Sequence, residues 1–198
     1  MSELPHTLAG PCRHQEEIKK SRFLALAAPV ETSALALAFV QELADPAATH
    51  NCWAYRIGQD YRFNDDGEPA GTAGRPILQA IEGQGMDRVV VVVTRWYGGI
   101  KLGAGGLMRA YGGTAAECLR RTERLPIVSM VRLGLHCDFA ALSLLKARLK
   151  DWQAEIHSET FDADGVQLQL QLPESRVAEA RARIIDISRG RSVAMRLD

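Results

Sequence analysis

The chain has 198 residues, 24 basic and 24 acidic side chains, a formal net charge of zero and 46% hydrophobic residues. That length suits two modest domains of ordinary globular composition, and the neutral balance excludes a chain drawn to nucleic acid by its overall charge. No stretch is long and apolar enough for a membrane span, and residues 1–11 lack the basic and apolar regions of a signal peptide, so the expected location is cytoplasmic, with no membrane partner.

Residues 12–18 and 22–30 read as two strands joined by a turn at Lys19-Lys20-Ser21. Glu31-Thr32-Ser33 offers capping groups for a helix with the apolar face Leu35, Ala36, Phe39, Val40 and Leu43, which Asp45-Pro46 stops. Residues 50–57 alternate enough for a third strand. Residues 58–69 read as a polar turn region marked by Asp65-Asp66-Gly67. Ile77, Leu78 and Ile81 then mark a helix over 76–82.

Residues 89–93 are five valines in a row, the pattern of a strand buried on both faces. The run passes through Thr94-Arg95-Trp96-Tyr97 into glycines at 98, 99, 103, 105 and 106. Beyond them Leu107, Tyr111, Thr114 and Cys118 recur at helical spacing, predicting a helix to about Thr122. Gly112-Gly113 in its interior cost about 1 kcal/mol each relative to alanine. Close packing of the helix against the sheet is the expected offset.

Residues 123–126 read as a boundary, giving domains 1–124 and 125–198. After it come a strand over 127–137 and a helix capped by Asp138 with the face Leu142, Leu145 and Leu149. A strand over 153–160 leads to a hairpin turn at Asp162–Gly165. Val166, Leu168, Leu170 and Leu172 alternate with glutamines, a half-buried strand. A helix over 177–187 and a strand over 192–197 complete a βαββαβ order, which suggests a ferredoxin-like fold. The fold class is α+β.

Four groups of residues carry candidate chemistry. The first is the glycine loop with its cations. Between Arg88 and Arg109 there are four basic residues and no acidic one. Strand, glycine loop and helix start is an arrangement that gathers backbone N–H groups around an anion. Arg75, Arg95, Tyr97, Lys101, Gly103, Gly105 and Arg109 are the expected phosphate- or nucleic-acid-binding set. Trp96 or Tyr97 suits stacking on a base. The loop matches neither the dinucleotide fingerprint nor the Walker loop, and its alternative reading is a tight turn that lets helix and strand pack closely.

The second group is Asp65, Asp66 and Glu68, which either hold a hard cation such as Mg²⁺ or pair with Arg75, Arg95 or Arg109. The third is Cys12 with His14 and His50 with Cys52. A zinc site is conceivable there if their strands are neighbours, against the simpler reading of Cys12, Cys52, Cys118 and Cys137 as reduced core thiols. The fourth is nucleophilic: Thr72 and Cys52 lack a base and orienting group at motif spacing. Thr72 is therefore expected to cap the following helix or contact a ligand.

The motifs H-N-C-W-A-Y (50–55), D-D-G-E-P-A-G-T-A-G-R-P-I (65–77) and V-T-R-W-Y-G-G-I-K-L-G-A-G-G-L-M-R-A-Y (93–111) resemble the signatures of the IMPACT family. The resemblance covers the whole chain. It implies an N-terminal ribosomal-protein-type β/α two-layer sandwich, shared with translation factors and the galactokinase group of small-molecule kinases. It implies a C-terminal domain similar to the end domain of elongation factor G. Eukaryotic relatives carry an additional N-terminal RWD domain and restrain a starvation-activated kinase of translation initiation by competing for its scaffold protein. This chain begins at the shared domain, so that scaffold role is not carried over.

The resulting expectation is a non-catalytic cytosolic binding protein linked to translation, with RNA or the ribosome as partner and no cofactor. The rival expectations are a Mg²⁺-dependent enzyme acting on a phosphorylated small molecule or nucleotide, and a protein-interaction regulator of translation.

Overall fold

The computed structural model describes residues 4–197; the first three residues of the stretch read for a leader, and Asp198, lie outside them. The chain divides into two compact units, one ending at Ile127 and the other beginning at Val128.

The first unit contains β1 (His6–Leu8), β2 (Cys12–Ile18), β3 (Ser21–Pro29), α1 (Ser33–Leu43), β4 (His50–Ile57), β5 (Asp60–Asn64), α2 (Gly74–Gly83), β6 (Val89–Trp96), α3 (Ala104–Arg120) and β7 (Arg124–Pro126). Five strands form an antiparallel sheet in the order β2-β3-β6-β4-β5. The valine strand lies at its centre because its side chains are apolar on both faces. Val89, Val91 and Val93 pack beneath α2 and α3, against Ile77, Ile81, Ala110, Tyr111 and Cys118. Val90 and Val92 point the other way, into a second core with Ala36 and Val40 of α1. The expected two-layer sandwich therefore gains a third layer, since a strand apolar on both sides must be covered on both sides.

Other expectations shift for local reasons. Residues 60–64, expected within a turn region, form the edge strand β5, every residue of it exposed. The valine strand continues three residues past Val93, through Trp96, because Thr94 and Arg95 still pair with β3 and β4. α2 starts at Gly74, ahead of Pro76, which sits in the first turn where a missing N–H costs nothing. β7 pairs with β1, so residues 124–126 stay with the first unit, and the division falls just past the expected position.

The second unit contains β8 (Met130–Asp138), α4 (Phe139–Arg148) with a 3-10 turn at Leu149–Trp152, β9 (Glu155–Phe161), β10 (Gly165–Pro173), a 3-10 turn at Glu174–Arg176, α5 (Val177–Ile187) and β11 (Met195–Leu197). Its sheet runs β11-β8-β10-β9, antiparallel throughout. Leu133, Leu135, Leu168 and Leu170 face Leu145, Trp152, Ala180 and Ile184, and Gln167, Gln169 and Gln171 lie on the other side, as their alternation requires. Asp138 caps α4 through Ala141 N–H at 2.9 Å. No helix among the described residues is long and apolar enough to cross a membrane.

The glycines of the first unit divide by what surrounds them. A Cβ at Gly98 would lie 1.8 Å from the Lys20 carbonyl oxygen, so the loop after β6 lies directly on the β2–β3 turn. Gly112 packs on Pro76 of α2, where an added Cβ would lie 3.4 Å from the Pro76 carbonyl oxygen, rather than on the sheet as expected. Gly113 is exposed and meets nothing within 4 Å, so packing offsets only one of the two helix glycines. Two outcomes follow for urea unfolding. Gly98→Ala costs about 2–3 kcal/mol or more, because backbone must move. Gly113→Ala gains about 1 kcal/mol from helix propensity alone. A neutral Gly98→Ala, or a destabilising Gly113→Ala, contradicts this packing.

Candidate functional site

In the register of the sheet, Arg95 of β6 lies opposite His50 of β4 and Phe23 of β3, on the face that α3 covers. Arg95 is 5% exposed and Glu68 8%. Arg95 Nη1 donates to Glu68 Oε1 at 2.6 Å, and the Tyr111 hydroxyl of α3 donates to the same oxygen at 2.8 Å. Arg95 Nη2 reaches Ser21 Oγ at 3.4 Å. The guanidinium also lies 5.6 Å from the Phe23 ring centre and 5.4 Å from that of Tyr97. His50 Nδ1 is 2.6 Å from the Asp66 carbonyl oxygen; a carbonyl only accepts, so that nitrogen carries the proton, and Nε2 stands 3.8 Å from Glu68 Oε2.

The acidic residues are held apart by separate tasks. Asp65 accepts from the backbone N–H groups of Gly71, Ala73 and Gly74 at 2.8, 3.0 and 2.8 Å, which caps the start of α2 from a distance. Asp66, at φ +43°, accepts from Asn51 N–H at 2.6 Å. Glu68 serves Arg95 and Tyr111. Among the described residues no three acidic, His or Cys side chains converge as a cation site. Of the salt-bridge partners expected for this cluster, Arg95 is the one engaged, by Glu68. Thr72 donates to the Pro69 carbonyl at 2.6 Å and does not cap the helix, because Asp65 already does.

Above the ion pair is a cleft of about 360 Å³, lined by Thr49, His50, Arg95, Tyr97, Lys101 and Gly103 among others. Such a volume is in the range of small-ligand sites, roughly 300–1,000 Å³. Tyr97 is 45% exposed, and its N–H is fixed by Thr49 Oγ1 at 2.9 Å. Gly103 at φ +73° opens α3 and brings no capping side chain. The N–H groups of Ala104, Gly105 and Gly106 meet no acceptor among the described residues, so the positive end of the helix borders the cleft uncapped. Lys101 is exposed and forms no ion pair among the described residues.

The expected binding set therefore divides. Arg95, Tyr97, Lys101 and Gly103 share the cleft, with Arg95 consumed by Glu68. Gly105 lies in the first turn of α3. Arg109 lines a separate groove with Pro76 and Gly112, and Arg75 is exposed on α2. Thr49, Ser21 and Tyr111 are not among the expected site residues; sheet register and the α3 face bring them there, and of the three only Tyr111 lies within one of the quoted motifs.

The cysteine readings resolve through the same register. His14 pairs across to Ala25, Ala25 to Val93 and Val93 to Cys52. The two Cys/His pairs are thus three strand spacings apart, about 14 Å, too far for one zinc ion. Cys52 is fully buried and donates to the Asp65 carbonyl at 3.0 Å. Burial pushes its thiol far above the ordinary range, and nearby Glu68, Asp66 and Asp65 push the same way, which favours the protonated thiol. Burial first, then Cys52 and Glu68, raises the Tyr111 hydroxyl as well, which keeps it a donor to Glu68.

Removing one member of a buried ion pair strands the other charge, at about 3–5 kcal/mol. Glu68→Ala is expected to lose about 3 kcal/mol in urea unfolding, and Glu68→Leu combined with Arg95→Met to recover most of it. A single variant within 1 kcal/mol of the parent would show the pair to be solvated.

Comparison with known proteins agrees with this architecture. Residues 19–119 match the model of the Impact N-terminal domain, and residues 135–191 that of a domain of unknown function, DUF1949. An IMPACT family member encoded in the pol 5′ region of Thermus thermophilus is 47% identical over 175 residues, 88% of this chain and 97% of that protein. The IMPACT family member YigZ of Escherichia coli is 39% identical over 92% of each chain. Protein IMPACT of Mus musculus is 43% identical over 95 residues, 43% of this chain and 29% of that protein. The crystal structure of a hypothetical protein, 36% identical, superimposes with a TM-score of 0.69 over 100% of this chain and 99% of its own. With domain matches in both halves and high identity along most of its length, the chain belongs to the IMPACT family.

Proposed function

We propose that this chain is a non-catalytic binding protein linked to translation, and that its cleft takes a phosphate of RNA or of a ribosome-associated ligand. One observation carries the reading: a lysine and a first helical turn that meet no protein partner among the described residues, together with a half-exposed tyrosine, border the same cleft. Backbone N–H groups and an ammonium suit an anion, and an aromatic face suits an unstacked base. Arg75 and Arg109, exposed and outside the cleft, serve further phosphates along the strand, while Arg95 shapes the floor through Glu68. Gly103 and Gly105 keep the approach to the amides open. The link to translation is what membership of the IMPACT family implies for the chain. The cytoplasm is the matching location.

The rival Mg²⁺-dependent chemistry is disfavoured by the work its acids already do. Asp65 is committed to three amides, Asp66 to one, and Glu68 to Arg95 and Tyr111.

Filter binding of structured RNA across a salt series tests the reading. Affinity should fall steeply with salt, and Lys101→Ala should weaken binding for all sequences and lower the log–log slope by about one. Ala104→Glu supplies a carboxylate to the first turn of α3. It should keep or raise thermal stability while weakening binding about tenfold or more. A salt-insensitive signal, or wild-type affinity in both variants, removes the cleft from RNA recognition. A thermal shift that requires nucleotide and Mg²⁺ together would favour the enzyme instead.

A further inference from the structure

The four thiols are not equivalent. Cys52 and Cys137 are buried, and each donates to a backbone carbonyl, of Asp65 and Asp138. Burial raises both. Cys12 of β2 and Cys118 of α3, 106 positions apart in sequence, bring their sulfurs to 3.5 Å. Cys118 is fully buried, whereas Cys12 on the edge strand is only partly so. One member of the pair is thus open to a small solute and the other is shielded behind it. Cys12 can also donate to the Cys118 carbonyl at 3.4 Å, and Cys118 to the Ala25 carbonyl at 3.7 Å, so both side chains already point into the space between strand and helix.

We propose that Cys12 and Cys118 form a peroxide-reactive pair, in which Cys12 is the attacked thiol and Cys118 the resolving one, and that their disulfide fastens the edge strand to α3. Hydrogen peroxide or an organic hydroperoxide is the oxidant. The Cys12 thiolate attacks the O–O bond, giving Cys12–SOH and releasing water or an alcohol. The Cys118 sulfur then displaces hydroxide from Cys12, its thiol proton leaves with that oxygen as water, and an S–S bond forms. Two electrons pass from the two sulfurs to the peroxide, and dithiol reductants reverse the step. The sulfurs need to approach by about 1.5 Å to reach a bond of about 2.05 Å, a side-chain adjustment. The roles follow from access: Cys12 on the edge strand is partly exposed, and Cys118 is buried behind it. The contact between the sulfurs favours a thiolate on one member of the pair. The pair is independent of the cleft, which lies at the other end of α3.

The test uses the full chain, reduced, desalted and treated with sub-millimolar hydrogen peroxide at pH 7 before alkylation. Intact mass should fall by about 2 Da as one disulfide replaces two thiols, two of four cysteines should resist alkylation, and peptide mapping should place the link between Cys12 and Cys118. Dithiothreitol should restore all four. Closing so long a loop should raise the melting temperature of the oxidised form by about 5 °C. Cys118→Ser should stop at a Cys12 sulfenic acid trapped by dimedone, and Cys12→Ser should slow oxidation at least tenfold. The mapping of the unmodified chain stands even if a variant fails to fold. Oxidation of Cys12 to the sulfinic acid without a link, or a link to Cys52, Cys137 or a second chain, overturns the proposal.

Discussion

The salt bridge between Glu68 and Arg95 joins three parts of the first unit at one point. Arg95 is the last residue but one of the central strand, Glu68 belongs to the loop between β5 and α2, and Tyr111 brings α3 onto the same carboxylate oxygen. Burying two ions is expensive unless their remaining capacity is met. Here a phenol, a serine and two aromatic faces surround the pair and meet that capacity in part, since Arg95 Nε is buried without a hydrogen-bond partner among the described residues. The cost constrains the neighbourhood. Tyr111 must lie one face of the helix against the sheet, the loop must double back over β4, and Ser21 must turn inward, where it also receives Gly98 N–H at 3.2 Å. The cleft is the space left above this arrangement.

Much of the fold was legible because its signals are periodic. The alternation of leucines and glutamines over residues 166–172 requires one buried face, and β10 has it. The valine run demanded cover on both sides and received it from α1 on one side and α2 with α3 on the other. Thr32 and Asp138 accept from the third residue beyond, as capping residues do. What stayed hidden was short. β5 alternates Tyr61 and Phe63 with polar residues, which is a strand signal, but over only five residues, running into the Asp65-Asp66-Gly67 turn, and every one of them is exposed. β1 and β7 are three residues each and become strands only by meeting across more than a hundred positions.

The site was legible in composition and illegible in connection. The stretch that holds the glycines and cations does border the cleft, through Arg95, Tyr97, Lys101 and Gly103. Which cation is already spent is a question of pairing, and Glu68 lies 27 positions away from Arg95. The acidic cluster shows the same limit from the other side. Three carboxylates close in sequence suggest one cation, yet adjacent residues in a tight turn point in different directions. A left-handed Asp66 between Asp65 and Gly67 separates their tasks. Arg109 lies outside the cleft for a simpler reason: its position on α3 faces the groove beside Pro76.

The two helices on this face of the sheet begin in opposite ways, and the contrast bears on what the cleft is for. α2 has no capping side chain of its own, and Asp65 reaches back to meet its amides. α3 has none either, and no protein group takes that place among the described residues. A cap is worth about 0.5–2 kcal/mol, and a single acidic residue near position 103 would supply one. A positive φ at Gly103 disfavours any side chain there, and Lys101 adds positive charge where a cap would add negative. The chain thus satisfies one helix start with its own carboxylate and leaves the other to water or to an anion from outside. The start of α3, with Lys101 at its mouth, is where the described residues of this domain leave backbone donors and a positive side chain unmet together.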